Sequence, residues 1–239
     1  MEATWNRDSA VGRLTMTLPI AVIALLIPVG IVVDALPSAV EYAPFVVSVL
    51  LFGLPHGAAD HLMPIRLGDV SLKRSLGVVS VVYAILGGLY LVVWAVSPAV
   101  SMLAFLGMTW FHWGQGDVFA LRAFGEAGHI RTRSDRWASL VVRGGLPMLV
   151  PLLGQPEGYQ RVVNGIIALF DPAAAAALTP LFRLDTRLAL GVGFGVFTLS
   201  SLLWTARHVW QGDTSAEGLV WDAVEIGVLW VFFWLVPPV

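Results

Sequence analysis

The chain contains no cysteine, and that absence removes disulfides, thiolate metal ligands and cysteine nucleophiles together. Charge is scarce as well. Only 13% of the 239 residues are charged against 57% hydrophobic, and the mean hydropathy is +0.80. A soluble domain carries about a quarter charged residues, so this composition describes an integral membrane protein. The net charge is −2 with no basic block, which argues against nucleic acid as a partner. There is no phosphate-cradling G-x-x-x-x-G-K-[ST] loop and no serine nucleophile elbow, which disfavours nucleotide and triad chemistry. Long charged or Ser/Gly-rich linkers are also missing, so residues 1–239 read as one integral membrane domain. Any metal must be held by His, Asp or Glu.

What is present is a series of apolar runs. Runs of about 17 to 25 residues cross the hydrocarbon core as helices, and seven are found, at roughly 14–33, 44–62, 76–97, 99–119, 138–154, 188–207 and 218–237. The expected fold class is an all-α polytopic membrane helix bundle of about seven transmembrane helices. The first run follows Arg13 but has no small-residue cleavage site behind it, so it reads as a retained span. Residues 155–187 form a connecting segment whose moderate apolarity, broken by Pro172 and Pro180, suits short interfacial helices.

Orientation follows from the basic residues, which are retained on the cytoplasmic side. Arg7 and Arg13 precede the first span; Arg66, Lys73 and Arg74 follow the second; Arg122, Arg131, Arg133 and Arg136 follow the fourth; Arg207 closes the sixth. The opposite loops carry only Arg161, Arg183 and Arg187, all within 155–187. The N-terminus is therefore expected in the cytoplasm, the protein in the cell inner (plasma) membrane, and each even-numbered span running inward.

That topology makes the histidines informative. His56 and His112 fall about two thirds of the way along the second and fourth spans, at similar depth. Polar groups are costly in hydrocarbon and face the bundle interior, a cavity or one another. Two imidazoles at one depth can share iron, copper or zinc. The other reading is that each is a helix-to-helix hydrogen-bonding residue, and the residues alone leave both open. Asp60 stands four residues after His56, on the same helical face, where it can accept an imidazole N–H and orient the ring. His112 is followed by Gln115 and Asp117 in FHWGQGD, and Gly53 and Pro55 loosen the helix before His56. His61 approaches the interface, where a histidine costs little. His129 lies in a charged loop and is expected to be solvated. TWFHWGQGD at 109–117 and TARHVWQGD at 205–213 share T-x-x-H-x-x-Q-G-D, a pattern that chance or duplication can produce and that adds His208 as a third candidate ligand.

GLPHGAADHL at 53–62, FHWGQGD at 111–117, and the spaced Gly212, Asp213, Glu225, Pro237 and Pro238 resemble the Brp/Blh family of membrane β-carotene 15,15′-dioxygenases. The first motif is similar to the family's PHGAxDH run and the second to its HFGxxD-type motif, with Trp113 where Phe is usual. The resemblance runs from about residue 45 to the end. It implies a multi-span helical enzyme that splits the central double bond of β-carotene with O2 to two retinals. It also implies a non-haem Fe(II) cofactor held by histidines corresponding to His56 and His112, and a functional link to a retinal-binding rhodopsin. Asp60 and Asp117 are the accompanying catalytic candidates. A polyene needs an apolar tunnel reached from the bilayer, and Phe52, Phe105, Met108, Trp110 and Phe111 are candidate walls, each equally suited to packing or lipid contact.

The family's Pro-Pro segment leads into a further helix with an HxxRH-type motif that supplies the remaining histidines, whereas this sequence stops at Val239. The expectation is reduced or absent cleavage by this polypeptide unless His208 or His61 completes the coordination. Two readings from other classes stand beside the oxygenase: a non-catalytic carotenoid- or retinal-binding membrane protein, and a haem or proton-relay membrane protein.

Overall fold

The computed structural model describes residues 7, 9–32, 42–43, 46–68, 70–124, 127–212 and 216–236, with the side chains of Phe52, Pro55 and His56 left outside that description. All regular structure among these residues is helical, and the chain is an all-α polytopic membrane bundle. Five helices have the length and apolarity to cross a bilayer: α1 (Ala10–Val32), α4 (Leu72–Val96), α6 (Arg133–Gly154), α8 (Leu184–Trp210) and α9 (Ala216–Leu235). The expected span at 99–119 is α5 (Pro98–Phe124), whose 27 residues reach about 40 Å. Polar residues such as His112, Gln115, Asp117 and Arg122 keep it out of that apolar set.

The expected span at 44–62 is helical from 46 to 59 and is followed by a turn. A π-helical turn at Val49–Gly53 runs into the short α2 (Leu54–Ala59), and a turn at Asp60 and His61 separates it from α3 (Leu62–Gly68). The local cause of the π-turn is Pro55, which has no N–H to give to the helix ladder. The Leu54 N–H reaches back five residues to the Val49 carbonyl. The same device precedes Pro19 in α1, where the Leu18 N–H bonds to the Arg13 carbonyl.

At the centre stands α6, packed against α5, α8 and α9. Its start is defined by a capping box: the Thr132 hydroxyl accepts from the Asp135 N–H at 3.1 Å, and Asp135 Oδ2 accepts from the Thr132 N–H at 2.7 Å. Two glycines let α5 and α6 approach closely. A Cβ on Gly114 would strike the Leu140 carbonyl, and one on Gly144 the Trp110 carbonyl. In a bilayer no water is released between helices, so such small-residue contacts drive their association through close packing. The Trp110 indole N–H then reaches the Val141 carbonyl at 2.9 Å.

The main core gathers Val142, Leu146, Leu149 and Val150 of α6 with Phe194 of α8 and Ile226 of α9. Residues 155–187 carry two short helices, α7 (Pro156–Ala168) and a 3-10 helix at Pro172–Phe182, before α8 begins. Both cover Trp94 and Met102 near the α4 to α5 turn. Outward-facing Leu25, Leu86, Leu199 and Leu203 are exposed, as lipid-facing positions must be.

Candidate functional site

Halfway along α6 an arginine occupies the position where a membrane span tolerates charge least. Arg143 is 3% exposed, so its guanidinium must be matched from neighbouring helices. Its Nη1 donates to Asp117 Oδ2 of α5 at 2.5 Å; its Nη2 donates to Asp222 Oδ1 at 2.5 Å and to Glu225 Oε2 at 2.9 Å, both on α9. Nε adds a bond to Asp222 Oδ1 at 3.2 Å. The network extends at both edges. Arg7 donates to Glu225 Oε1 at 2.5 Å while its guanidinium lies 4.7 Å from the Trp221 ring centre. His129 donates from Nε2 to Asp222 Oδ2 at 2.9 Å.

Helical spacing explains how α9 contributes two of these groups. Asp222 and Glu225 are three residues apart, hence on one face, and that face packs on α6. Two guanidinium groups meet three carboxylates, and His129 is also on Asp222. Breaking such a set leaves buried charge without a partner, so it locks the rotation and register of α5, α6 and α9. Its chemical capacity is positioning: the Nε, Nη1 and Nη2 positions of Arg143 are all engaged.

Sequence reasoning did not find Arg143, Asp222 or Arg7. The signal for Arg143 was available, since it is the one charged residue inside the 138–154 run. Asp222 and Glu225 carry the same signal inside the 218–237 run, but nothing local marks which helix each meets. The expectation of a solvated His129 is corrected: it is 1% exposed, because the turn Ala127–His129 packs on α8 and α9 and delivers its ring to Asp222. Among the described residues its Nδ1 has no hydrogen-bond partner.

The expected site residues are placed as follows. Asp117 is turned toward α6 and ion-paired with Arg143, whereas His112 is on an exposed face of the same helix, about 140° away at 100° per residue. That face also carries Phe105, Met108 and Phe119. Trp110 lies in the core, edge-on to Phe194 at 6.1 Å. Asp60 caps α2 and accepts a hydrogen bond from the Tyr83 hydroxyl of α4. The His61 ring donates from Nδ1 to the Ala58 carbonyl at 2.6 Å, and the Ser75 hydroxyl donates to the His61 carbonyl. His208 is half-buried on α8, edge-on to Trp204 with ring centres 6.1 Å apart.

The side chain of His56, and Asp213, Pro237 and Pro238, lie outside the described residues. The two T-x-x-H-x-x-Q-G-D stretches differ in local structure: 109–117 stays helical, whereas α8 ends before Gly212, which takes the left-handed φ of +77°.

Among the described residues no three His, Asp or Glu side chains gather in a way that could hold a metal ion. His112 and His208 belong to different helices, and the donor set around Arg143 is already consumed by guanidinium. The described residues therefore do not by themselves assemble the iron centre that the resemblance implies.

A polytopic helix bundle with charge buried at mid-span and histidine motifs on separate helices defines a membrane protein with a specialised interior. The chain belongs to the beta-carotene 15,15'-dioxygenase family, whose family model matches residues 47–239. It is 42% identical over 208 residues to the probable beta-carotene 15,15'-dioxygenase Blh of Halobacterium salinarum (strain ATCC 700922 / JCM 11081 / NRC-1), covering 86% of this chain and 58% of that relative. It is 29% identical over 244 residues to the probable beta-carotene 15,15'-dioxygenase Brp of Halobacterium salinarum (strain ATCC 29341 / DSM 671 / R1), covering 99% of this chain and 65% of that relative. The chain thus spans less than two thirds of the length of either relative. No solved structure matches it.

Proposed function

We propose that the chain forms the membrane-embedded body of an oxygenase that cleaves β-carotene centrally to retinal. The observation that carries this is the family match over residues 47–239, which includes both histidine motifs, GLPHGAADHL and FHWGQGD. In the reaction the central C=C bond breaks and each of its carbons takes one oxygen atom of O2, giving two aldehydes. Hydrocarbon substrate dissolved in the bilayer reaches the exposed face of α5 beside Phe105, Met108 and His112 without crossing the charged interior. The network around Arg143 holds that helix in register; Asp117 is a positioning carboxylate that acts through it. Asp60 has the same kind of role, held by Tyr83 at the end of the segment that bears His56.

His56, His112 and His208 are the ligand set to be tested for an Fe(II) ion. The membrane in this reading is the inner (plasma) membrane, and the product is the chromophore class that a retinal-binding rhodopsin consumes.

The test is expression of the chain in a β-carotene-accumulating host, with retinal measured by chromatography and iron measured in the purified protein. Retinal production that disappears in His56→Ala and in His112→Ala, with iron lowered in both, supports the reading. Unchanged retinal in both variants removes those two residues from the site. Pigment that copurifies intact, with no O2 uptake and no retinal, favours the carotenoid-binding reading instead. His208→Ala separates a three-histidine set from a pair, because only in the former does it abolish both iron and product.

A further inference from the structure

We infer that the seam between α6 and α8 is a docking groove for one anionic phospholipid. The groove, about 420 Å³, is lined by Arg133, Ser134, Trp137, Ala138 and Val141 of α6 and by Phe197 of α8. The α6 residues fall on one helical stripe from Arg133 to Val141, about 12 Å from end to end. Polarity divides along that stripe. Arg133 and Ser134 stand at one end, and everything beyond them is hydrocarbon or aromatic.

Charge at the polar end is not answered by a carboxylate among the described residues. Arg133 and Arg136 are exposed, and among the described residues neither has a carboxylate partner. The one carboxylate of this first turn, Asp135, is 2% exposed and faces inward. Its Oδ2 accepts from the Arg131 and Thr132 N–H groups and its Oδ1 from the Trp204 indole N–H at 3.1 Å. A cationic, hydroxyl-bearing rim over an apolar channel is complementary to an amphiphile with an anionic head and an acyl tail. The location agrees with this, because Trp137 sits one turn deeper than Arg133, the order in which a bilayer arranges headgroup and interfacial aromatic. The expected orientation also puts this end on the cytoplasmic leaflet, where anionic lipids are attracted to juxtamembrane arginines. β-Carotene has no acidic group and leaves Arg133 unanswered, so it is the poorer occupant.

The experiment reconstitutes the full chain in nanodiscs of equal phosphatidylglycerol and phosphatidylcholine, extracts it into neutral detergent and quantifies retained lipid by mass spectrometry. Phosphatidylglycerol should be enriched about fivefold over phosphatidylcholine, the effect of one arginine near an anionic headgroup. Arg133→Gln should abolish the enrichment. Arg66→Gln, exposed on α3 outside the groove, should leave it intact. Ala138→Leu, which fills the channel, should lower retention of both lipids while the helical circular dichroism stays unchanged. Equal retention of the two lipids by the parent chain, enrichment that survives Arg133→Gln, or displacement of phospholipid by added β-carotene would each overturn the assignment.

Discussion

Replacing Arg143 by Met tests the central structural claim. The substitution keeps the bulk of the side chain but withdraws the cation that three carboxylates share. The loss is not the same for each. Glu225 keeps Arg7, Asp222 keeps His129, and Asp117 has a side chain that is 37% exposed. Breaking a buried ion pair by removing one partner costs about 3–5 kcal/mol, and the retained partners put this case at the lower end. For a chain of this size about 3 kcal/mol corresponds to a fall in Tm of roughly 6–12 °C. Thermal unfolding of the purified chain in detergent, followed by helical circular dichroism, measures it. Asp117→Asn removes only the exposed arm and should cost about 1 kcal/mol or less. The triple variant Arg143→Met, Asp117→Asn, Asp222→Asn leaves the Arg7 to Glu225 pair in place and should recover at least half of the loss, because a charge-free replacement no longer strands a buried ion. A Tm within about 2 °C of the parent for Arg143→Met, less than about 1 kcal/mol, would refute the reasoning. So would a triple variant less stable than the single one.

Three further outcomes follow from the same structure. Gly144→Val should prevent α5 and α6 from closing, because its Cβ meets the Trp110 carbonyl, and should abolish monodisperse elution on size-exclusion chromatography; Gly116→Ala, with open space around it, should elute as the parent does. Thr132→Ala removes the N-cap of α6 and should lower stability by about 1 kcal/mol, read as a shift in Tm. Burial pushes the Tyr159 phenol on α7 up to about 12. The folded chain then keeps a proton that the unfolded chain releases near pH 10, so Tyr159 favours folding fully below pH 10 and loses that contribution as pH rises toward 12. Ultraviolet titration should lose its highest phenolate step in Tyr159→Phe.

Much of the architecture could be read along the chain. The runs at 76–97, 138–154, 188–207 and 218–237 all correspond to long apolar helices, and each helix starts a few residues earlier than its run. Most of the extra residues are polar or charged, such as Lys73 and Arg133, and they continue the helix into the interface, where apolarity no longer marks its bounds. The run at 44–62 is helical from 46 to 59, with a π-turn ahead of Pro55, and meets a turn at Asp60. Of the polar candidates, Asp117 and Glu225 do enter a buried constellation, yet with Arg143 rather than with a histidine.

By itself the sequence determined that this is a membrane protein made of helices, roughly where they run, and which family it belongs to. Those are properties of local apolarity and short motifs. Only the tertiary structure decided that Arg143 meets Asp117, Asp222 and Glu225, that His129 is buried against Asp222, and that Asp117 rather than His112 is turned toward α6. The physical reason is rotational. A span's hydropathy is nearly unchanged when its helix is turned about its axis, so composition cannot tell which face meets a neighbour. The rotation is set by where glycines such as Gly114 and Gly144 let two backbones close, and by the cost of leaving a charge unpaired in hydrocarbon.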